Sequence, residues 1–294
     1  MTLPLIGAIE AGGTTIRCAV ARTLEEMVEV AVVDVPTSSP EQSLDVVATF
    51  FQPFADRGEL AAIGVASFGP LNTETSTIAD TSPKIAWRNL NWRQQLVSRL
   101  GDLRVVVDTD TNAAVLAESR YGNASGVEVA VYLTVGTGIG GAIAVNGSPL
   151  HGIGHPEVGH QLIARAPGDH HKGTCAFHHD CLEGFASGTA IVERYGAPAS
   201  QLDELHEGLQ FEAHYLAIAC ANLTTMVAAE RIVLGGGVME ARGLRSRVAE
   251  RAAHLLNGYL PHGQVRDHSL STIVAPKFEN SGLIGAWLLA RDLV

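Results

Sequence analysis

Positive charge is scarce in this 294-residue sequence, which has 20 Lys and Arg residues against 31 Asp and Glu residues. The formal net charge of -11 is the opposite of what proteins need to neutralise the phosphates of DNA or RNA. Charged residues make up only 17% of the chain, but the 46% of hydrophobic residues is ample for packed cores. The composition therefore predicts a folded protein, long enough for two domains, with no nucleic-acid partner.

The sequence also lacks an apolar run long enough to cross a membrane, which takes about 20 residues. Of two long uncharged stretches, Val129–Val145 is interrupted by glycines and Ala213–Ala229 contains several polar residues. No basic residue precedes the short apolar segment within Met1–Gly13, so this segment does not resemble a signal peptide. We therefore expect a cytoplasmic protein that does not enter a membrane.

Cysteine is rare, and its four positions form two pairs of different character. Cys18 and Cys220 lie in apolar stretches, where a free thiol behaves as a small hydrophobic side chain, so we expect both to be buried and inert. Cys175 and Cys181 lie in a polar, His-rich segment. Because disulfides form in oxidising compartments and no secretion signal is recognised, a metal site explains this second pair better than a disulfide.

What the sequence does contain is a strand–glycine turn–strand pattern that occurs twice. Leu5–Glu10 and Thr14–Ala21 are predicted strands joined by Ala11-Gly12-Gly13. The pattern recurs within Val129–Val145 around the turn Gly136–Gly141. Such a repetition indicates a duplicated architecture, and the alternation of predicted strands and helices is typical of an α/β protein.

Glycine and small polar residues cluster at Gly122–Gly126, where we place the boundary between the two halves. The sequence thus predicts an N-terminal domain over residues 1–121 and a C-terminal domain over residues 122–280. The second of these domains contains the His-rich segment.

Glycine-rich turns are candidate phosphate-binding places, because main-chain N–H groups can approach an anion where no Cβ intervenes. The three candidates are Gly12-Gly13-Thr14, Gly136–Gly141 and Gly235–Gly237. None matches the pattern Gly-x4-Gly-Lys-Ser/Thr, so a P-loop nucleotide hydrolase is disfavoured. A Rossmann dehydrogenase is disfavoured too, because its glycine motif leads from a strand into a helix, whereas Gly136–Gly141 leads into a second strand.

Asp110 follows the predicted buried strand Leu103–Val107 and immediately precedes a helix predicted over Asn112–Tyr121. A carboxylate in this position can cap the helix N-terminus. It can also be a general base that takes the proton of an attacking hydroxyl, as kinases require. Asp108 competes for the second role, and spacing alone does not choose between the two.

Cys175, His178 and Cys181 stand at three-residue intervals in one loop. Thiolate and imidazole ligands at such close spacing are typical of zinc-binding loops, and four protein ligands make a closed, structural site. Spacing alone leaves the fourth ligand open among His155, His160, His170, His171 and His179.

Taken together, these motifs resemble the ROK family of sugar kinases and repressors and, within it, the bacterial fructokinases. The resemblance covers nearly the whole chain. Gly7–Thr14 and Leu133–Gly141 are similar to the two phosphate motifs of the family, and Val233–Met239 is similar to its adenosine motif. Glu10, where many relatives carry aspartate, matches the fructokinase variant.

The resemblance implies roles for individual residues. Asp110–Asn112 is similar to the segment that carries the catalytic aspartate, which selects Asp110 over Asp108. His155–His160 is similar to the segment whose last histidine ligates zinc, which makes His160 the partner of Cys175, His178 and Cys181. The implied substrate-binding residues are Asn112, Glu157, His160 and Glu183. The implied ATP-binding residues are Gly12, Gly13, Thr14, Gly136, Thr137, Gly138, Gly235, Gly236, Gly237, Val238 and Met239.

The resemblance further implies an actin-like (ribonuclease H-like) ATPase fold, with two domains of duplicated topology and a cleft between them. A C-terminal helix over about residues 281–294 would pack back on the first domain. The implied activity is ATP-dependent phosphorylation of a hexose, D-fructose to fructose 6-phosphate. Mg²⁺ would accompany ATP, Zn²⁺ would be structural, and the assembly would be a homodimer.

One position departs from the family pattern, since relatives often carry lysine after Gly-Gly-Thr and this chain has Thr15. Arg17 lies on the same side of the strand but further along, so it is no evident substitute. A kinase for glucose, mannose or N-acetylmannosamine, or a sugar-binding homologue with weak turnover, therefore stays an alternative. A repressor is disfavoured, because the chain begins directly at the first phosphate strand and is acidic.

Overall fold

The computed structural model describes residues 3–29, 33–37, 39–260 and 272–294. These residues separate into two units. The first comprises the described parts of Met1–Ala117, His151–His155 and Phe278–Val294, and the second those of Glu118–Leu150 and Pro156–Lys277. Each unit contains a five-stranded sheet with helices, so the α/β class is confirmed.

The sheet of the first unit has the strand order β3-β2-β1-β4-β7. Its strands, with the separate pair β5 and β6, are β1 (Leu5–Ala11), β2 (Thr15–Ala21), β3 (Val33–Pro36), β4 (Leu60–Ser67), β5 (Leu71–Asn72), β6 (Thr77–Ile78) and β7 (Arg104–Thr109). At the centre of the sheet, β1 pairs antiparallel with β2 and parallel with β4. Because β1 is buried on both faces, its sequence is a nearly continuous apolar run.

The sheet of the second unit has the order β10-β9-β8-β11-β12. Its strands are β8 (Val129–Val135), β9 (Ile139–Val145), β10 (Ser148–Pro149), β11 (Arg231–Gly235) and β12 (Ile273–Val274). Here β8 pairs antiparallel with β9 and parallel with β11, as β1 does with β2 and β4. The predicted duplication is confirmed.

The described residues form nine α-helices, and side-chain caps mark the start of several of them. They are α1 (Leu24–Glu29), α2 (Pro40–Asp56), α3 (Trp92–Leu100), α4 (Asp110–Tyr121), α5 (Leu182–Ala186), α6 (Gly188–Tyr195), α7 (Glu207–Val227), α8 (Leu244–Leu256) and α9 (Ser281–Arg291). In α2, Pro40 occupies the first position, where the N–H that it lacks has no partner within the helix. The helix α4 begins at Asp110, two residues before the predicted start.

After β11 the chain does not pass directly into a long helix. A short 3₁₀ turn, Gly237–Glu240, comes first, and α8 follows only after Gly243. Gly243 has a φ of 71°, a left-handed conformation that interrupts helical geometry.

The helix α9 packs on β1 and β4 of the first unit. Its Trp287 is 1% exposed and donates through Nε1 to the carbonyl of Ala21 at 3.1 Å. At Gly64 in β4, a Cβ would lie 1.8 Å from the carbonyl oxygen of Ala286, so only glycine permits this approach. The core of the first unit is therefore built from both ends of the sequence.

The structure bears on two expectations from the sequence, the burial of Cys18 and Cys220 and the lack of a membrane-crossing segment. Cys18 and Cys220 are fully buried, and burial raises the pKa of both thiols to about 12, which confirms them as inert core residues. Across the described ranges, no helix combines the length and the hydrophobicity of a transmembrane segment.

Candidate active site and metal centre

The first glycine turn joins β1 to β2 in the first unit. The N–H of Gly12 donates to the carbonyl of Thr15 at 2.9 Å, which closes the turn, and Gly13 and Thr14 are exposed. The carbonyl of Gly13 accepts a hydrogen bond from Nζ of Lys84. The exposed N–H groups at the end of the hairpin are open to an anion.

Glu10 lies at the end of β1, immediately before this turn. Its carboxylate contacts Nη1 of Arg17 at 3.1 Å. Burial nevertheless raises the pKa of Glu10, with Arg17 acting in the opposite direction. Arg17 in turn also lies 3.5 Å from a carboxylate oxygen of Asp34, so its charge is shared between two acids.

The carboxylates at the end of β7 have different surroundings. Asp108 is 4% exposed, and its Oδ1 accepts from Asn112 Nδ2 at 2.7 Å while its Oδ2 lies 2.9 Å from His151 Nε2. Thr109 caps α4, because its Oγ1 accepts from the N–H of Asn112 at 3.1 Å. Asp110 is half-buried, and its Oδ1 accepts from the N–H of the next residue at 2.8 Å. Both residues therefore accept N–H groups at the start of α4, Thr109 through its hydroxyl and Asp110 through its carboxylate.

Asn112 is fully buried beside these carboxylates. Its Nδ2 lies 3.2 Å from His151 Nε2 in addition to the contact with Asp108. Its Oδ1 is buried and has no hydrogen-bond partner among the residues that the structure describes. A buried amide oxygen without a partner is unfavourable, so an incoming hydroxyl group could gain binding energy by donating to it.

The second glycine turn joins β8 to β9 in the second unit. The N–H of Gly136 donates to the carbonyl of Gly138 at 2.9 Å. Oε2 of Glu183 accepts from the N–H of Ile139 at 2.9 Å. A Cβ on Gly138 would lie 2.5 Å from that same oxygen, so glycine is needed there for Glu183 to reach the turn. A carboxylate thus stabilises this turn from its side.

A cavity of about 730 Å³ lies against the second turn, within the second unit. It brings together Gly136 and Thr137 of the turn with Gly237 and Val238, which follow β11. Gly188 and Thr189, at the start of α6, form part of its wall, and the N–H of Gly188 donates to the carbonyl of Gly136 at 2.7 Å. Two of the predicted ATP-binding segments therefore line one cavity of a size common for small-molecule sites.

His160, Cys175, His178 and Cys181 form the predicted metal-binding group. Their ligand atoms all lie within 4.8 Å of one another. Cys175 Sγ lies 3.7 Å from Nδ1 of both histidines, and Cys181 Sγ lies 3.8 Å from His160 Nδ1. Bonds of about 2.3 Å to sulfur and about 2.0 Å to nitrogen put neighbouring ligands of tetrahedral zinc roughly 3.5 Å apart, so the four residues fit that ion.

A bound cation would change the protonation state of the Cys181 thiol. Burial raises the pKa of Cys181 to about 11, so at neutral pH the thiol alone stays protonated. Metal ligation requires the thiolate, which a bound cation stabilises. Of the histidines that spacing left open, His160 joins the group within the described residues. Glu157, three residues before it, is exposed.

The sequence of the chain places it in a known family. A sequence model of the ROK family matches residues 6–293. The chain belongs to the ROK family. It is similar to the fructokinase of Zymomonas mobilis subsp. mobilis, at 36% identity over 97% of this chain and 96% of that protein. It is also similar to the fructokinase of Streptococcus mutans serotype c, at 34% identity over 98% of both chains.

The fold of this ROK chain is similar to that of a solved relative, the ROK hexokinase from Thermus thermophilus. The TM-score is 0.75 at 26% identity, and the match covers 97% of each chain. The expectation of an actin-like fold is confirmed.

Sequence motifs missed several residues that lie close to these sites. Lys84 and His151 contact Gly13 and Asp108 across 71 and 43 positions of sequence. No local pattern marks either of them. Thr189 carries a usable signal, because Ser187-Gly188-Thr189 is a helix start, and helix N-termini favour anions.

Proposed function

We propose that this ROK chain is an ATP-dependent fructokinase that converts D-fructose to fructose 6-phosphate. The observation that carries the proposal is identity of 34 to 36% to two fructokinases over nearly the full length of each protein. The likeness to the Thermus thermophilus hexokinase supports the broader class of hexose kinases.

We propose Asp110 as the general base of the reaction. Asp110 takes the proton of the 6-hydroxyl of fructose as its oxygen attacks the γ-phosphorus of ATP. The bond from the γ-phosphorus to the β–γ bridging oxygen breaks, and ADP leaves. The alternative, Asp108, is disfavoured because Asn112 and His151 occupy its two oxygens.

The nucleotide would use residues of both glycine turns. We assign the adenosine to the cavity beside Gly136, Thr137, Gly237 and Val238, together with Gly235, Gly236 and Met239, whose segment is similar to the family's adenosine motif. Gly13, Thr14 and Gly138 would present N–H groups to phosphate, and Gly12, whose own N–H closes the first turn, would line the site. Mg²⁺, which enters with ATP, would offset charge on the transferred phosphoryl group, and the Glu10 carboxylate is the group that would face its water shell.

The acceptor sugar would be bound by Asn112, Glu157, His160 and Glu183. The unpaired Oδ1 of Asn112 supports this assignment, because a sugar hydroxyl would satisfy it. Glu183 has one oxygen on the N–H of Ile139, which leaves its other oxygen as the acceptor for a hydroxyl. It would then connect sugar and phosphate turn.

A structural Zn²⁺ would be held by His160, Cys175, His178 and Cys181. With four protein ligands no coordination position stays open for substrate, so the ion would shape the loop and take no part in the chemistry. Because His160 is also a proposed sugar contact, the ion would fix that side chain in place.

Initial rates of ADP formation from Mg-ATP test the function, with fructose, glucose, mannose and N-acetylmannosamine as acceptors and zinc-replete protein. We expect kcat/KM to be highest for fructose. A preference for another hexose would change the substrate but keep the kinase. No turnover with any of the four sugars would favour a sugar-binding homologue.

We further propose a cytoplasmic homodimer. ATP is the phosphoryl donor available inside cells, which supports the location. Size-exclusion chromatography with light scattering, on the full chain, would give a mass near twice 31.0 kDa if the chain dimerises. A mass near 31.0 kDa would contradict the dimer without affecting the assignment of the reaction.

A further inference from the structure

Lys84 occupies a place at the first glycine turn to which no sequence motif assigned a role. Its Nζ donates to the carbonyl of Gly13, and its Cε lies 4.0 Å from where a Cβ on Gly13 would be. A lysine ammonium has three donors, and this contact uses one. Within the part of the chain that the structure describes, two donors and the positive charge of Lys84 remain for a ligand at the turn.

Three hydrogen bonds connect the loop of Lys84 to the first glycine turn. The N–H of Phe68 donates to the carbonyl of Ala11 at 3.0 Å. Ser82 Oγ donates to the carbonyl of Gly69 at 3.1 Å and accepts from the N–H of Lys84 at 3.3 Å. These hydrogen bonds, together with the contact of the Lys84 side chain with Gly13, therefore hold Lys84 at the turn.

Buried aromatic residues pack against the same loop. Trp87 is 2% exposed, and its ring centroid lies 5.6 Å from those of Phe68 and Trp92. The N–H of Trp87 donates to the carbonyl of Lys84 at 2.8 Å. The Lys84 ammonium lies 5.9 Å from the centroid of the Phe68 ring, a cation–π distance. The buried aromatic rings thus hold the backbone of Lys84, and the flexible Lys84 side chain reaches the turn from there.

The turn itself carries no positive charge. Its residues run Ala11-Gly-Gly-Thr-Thr15. Arg17, a basic residue of β2 near the turn, lies 3.1 Å from Glu10 and 3.5 Å from Asp34, so two carboxylates already neutralise it. Transfer of a phosphoryl group concentrates negative charge that a nearby cation must offset.

We propose that Lys84 binds the polyphosphate of ATP at the first glycine turn and stabilises the charge of phosphoryl transfer. The proposal deepens the assignment as an ATP-dependent kinase and rests on it. It makes Lys84 a catalytic residue supplied by a distant loop, at a turn whose own strand carries Thr15.

The test compares Lys84→Gln, Lys84→Arg and the control Arg57→Met. Glutamine keeps a donor for the Gly13 carbonyl but removes the charge. Arg57 is exposed, pairs with Glu59 and belongs to the same unit, so its removal controls for the loss of one positive charge. Calorimetry with ATP, inorganic tripolyphosphate and AMP accompanies the kinetics of fructose phosphorylation.

We expect Lys84→Gln to lower kcat/KM for ATP on the order of 100-fold. Affinity for ATP and tripolyphosphate should fall about tenfold or more, whereas affinity for AMP should stay within twofold, because AMP lacks the outer phosphates. Lys84→Arg should retain part of the activity, and Arg57→Met should match the unchanged chain.

Equal losses of affinity for ATP and AMP would show that Lys84 only stabilises the turn, and this would overturn the proposal. So would unchanged kinetics in Lys84→Gln. If the unchanged chain phosphorylates no hexose but binds tripolyphosphate through Lys84, the fructokinase assignment fails and the phosphate contact stands. If Lys84→Gln does not fold, the ATP-to-AMP affinity ratio of Lys84→Arg decides, since a shifted charge changes that ratio and a mere support does not.

Discussion

The two glycine hairpins of this chain share a scaffold and differ in what surrounds them. In both, a strand pairs antiparallel with its neighbour across the turn and parallel with a third strand. The first turn has a lysine at its carbonyl and carboxylates on neighbouring strands. The second has the Glu183 carboxylate on its N–H, and a cavity lies beside it.

The difference shows that a glycine turn supplies N–H groups, whereas the residues around it determine which other chemical groups lie there. In the first unit, the neighbours of the turn are the charged side chains of Lys84, Glu10 and Arg17. In the second unit, they are a cavity wall and a carboxylate.

The largest expected effect concerns Asp110, the proposed base, which lies in the first unit. We expect Asp110→Asn to lower kcat by about 10²- to 10⁴-fold, because the hydroxyl loses its proton acceptor. Glu183→Gln, in the second unit, should instead raise KM for fructose about tenfold. Kinetics with fructose and ATP measures both, and an unchanged melting temperature for Asp110→Asn serves as the control. Retention of more than a tenth of the activity by Asp110→Asn would contradict its role.

The next largest effect is expected when one cysteine is removed from each unit. Cys181→Ala should reduce zinc from about one ion per chain to none and lower the melting temperature markedly, because metal binding contributes directly to folding. Cys18→Ala, in the first unit, loses the same side-chain volume and should keep the zinc. Elemental analysis and thermal unfolding give the two readouts. Equal zinc content in both variants would exclude Cys181 as a ligand.

Alanine at one glycine of each turn gives a smaller and unequal effect. In Gly138→Ala the new Cβ displaces Glu183 from the N–H of Ile139, which we expect to cost about 1 kcal/mol of stability. In Gly13→Ala the nearest atom is 4.0 Å away, so stability should change by less than about 0.5 kcal/mol. Urea unfolding of both variants measures this, and equal losses would show that the turns are not differently supported.

The smallest effect concerns Glu212 in α7, which is 1% exposed and whose carboxylate oxygens have no hydrogen-bond partner within the described ranges. Burial raises the pKa of Glu212 well above its usual value of 4.5, and Arg194 opposes this only in part. The folded state therefore holds the proton more tightly than the unfolded state. Its contribution to stability is present below pH 4.5 and is lost as the pH rises towards the folded-state pKa.

Glu212→Gln, which stays neutral, should escape this loss. We expect its melting temperature to exceed that of the unchanged chain by a few °C, or about 1 kcal/mol, at pH 8. The difference should shrink as the pH is lowered to 5. A constant difference across this range would show that Glu212 does not titrate there. No carboxylate of the first unit combines such burial with the absence of a partner among the residues described.

Local chemistry explains which features could be predicted from the sequence. Turn glycines and the closely spaced Cys175, His178 and Cys181 act within a few residues of one another, so their pattern is visible in the chain. The contacts of Lys84 with Gly13 and of His151 with Asp108 depend on how distant segments fold together. The roles assigned to Asp110 and to the sugar and nucleotide contacts remain predictions.

The helix α9 makes the order of synthesis matter for the first unit. Ribosomes make β1 and β4 long before Ser281–Arg291, and the whole second unit is made in between. The face that α9 covers therefore stays bare on the nascent chain while the second unit can already fold. During this interval the N-terminal sheet is a natural target for chaperones, and a nonsense mutation near the C-terminus would harm the unit that is made first.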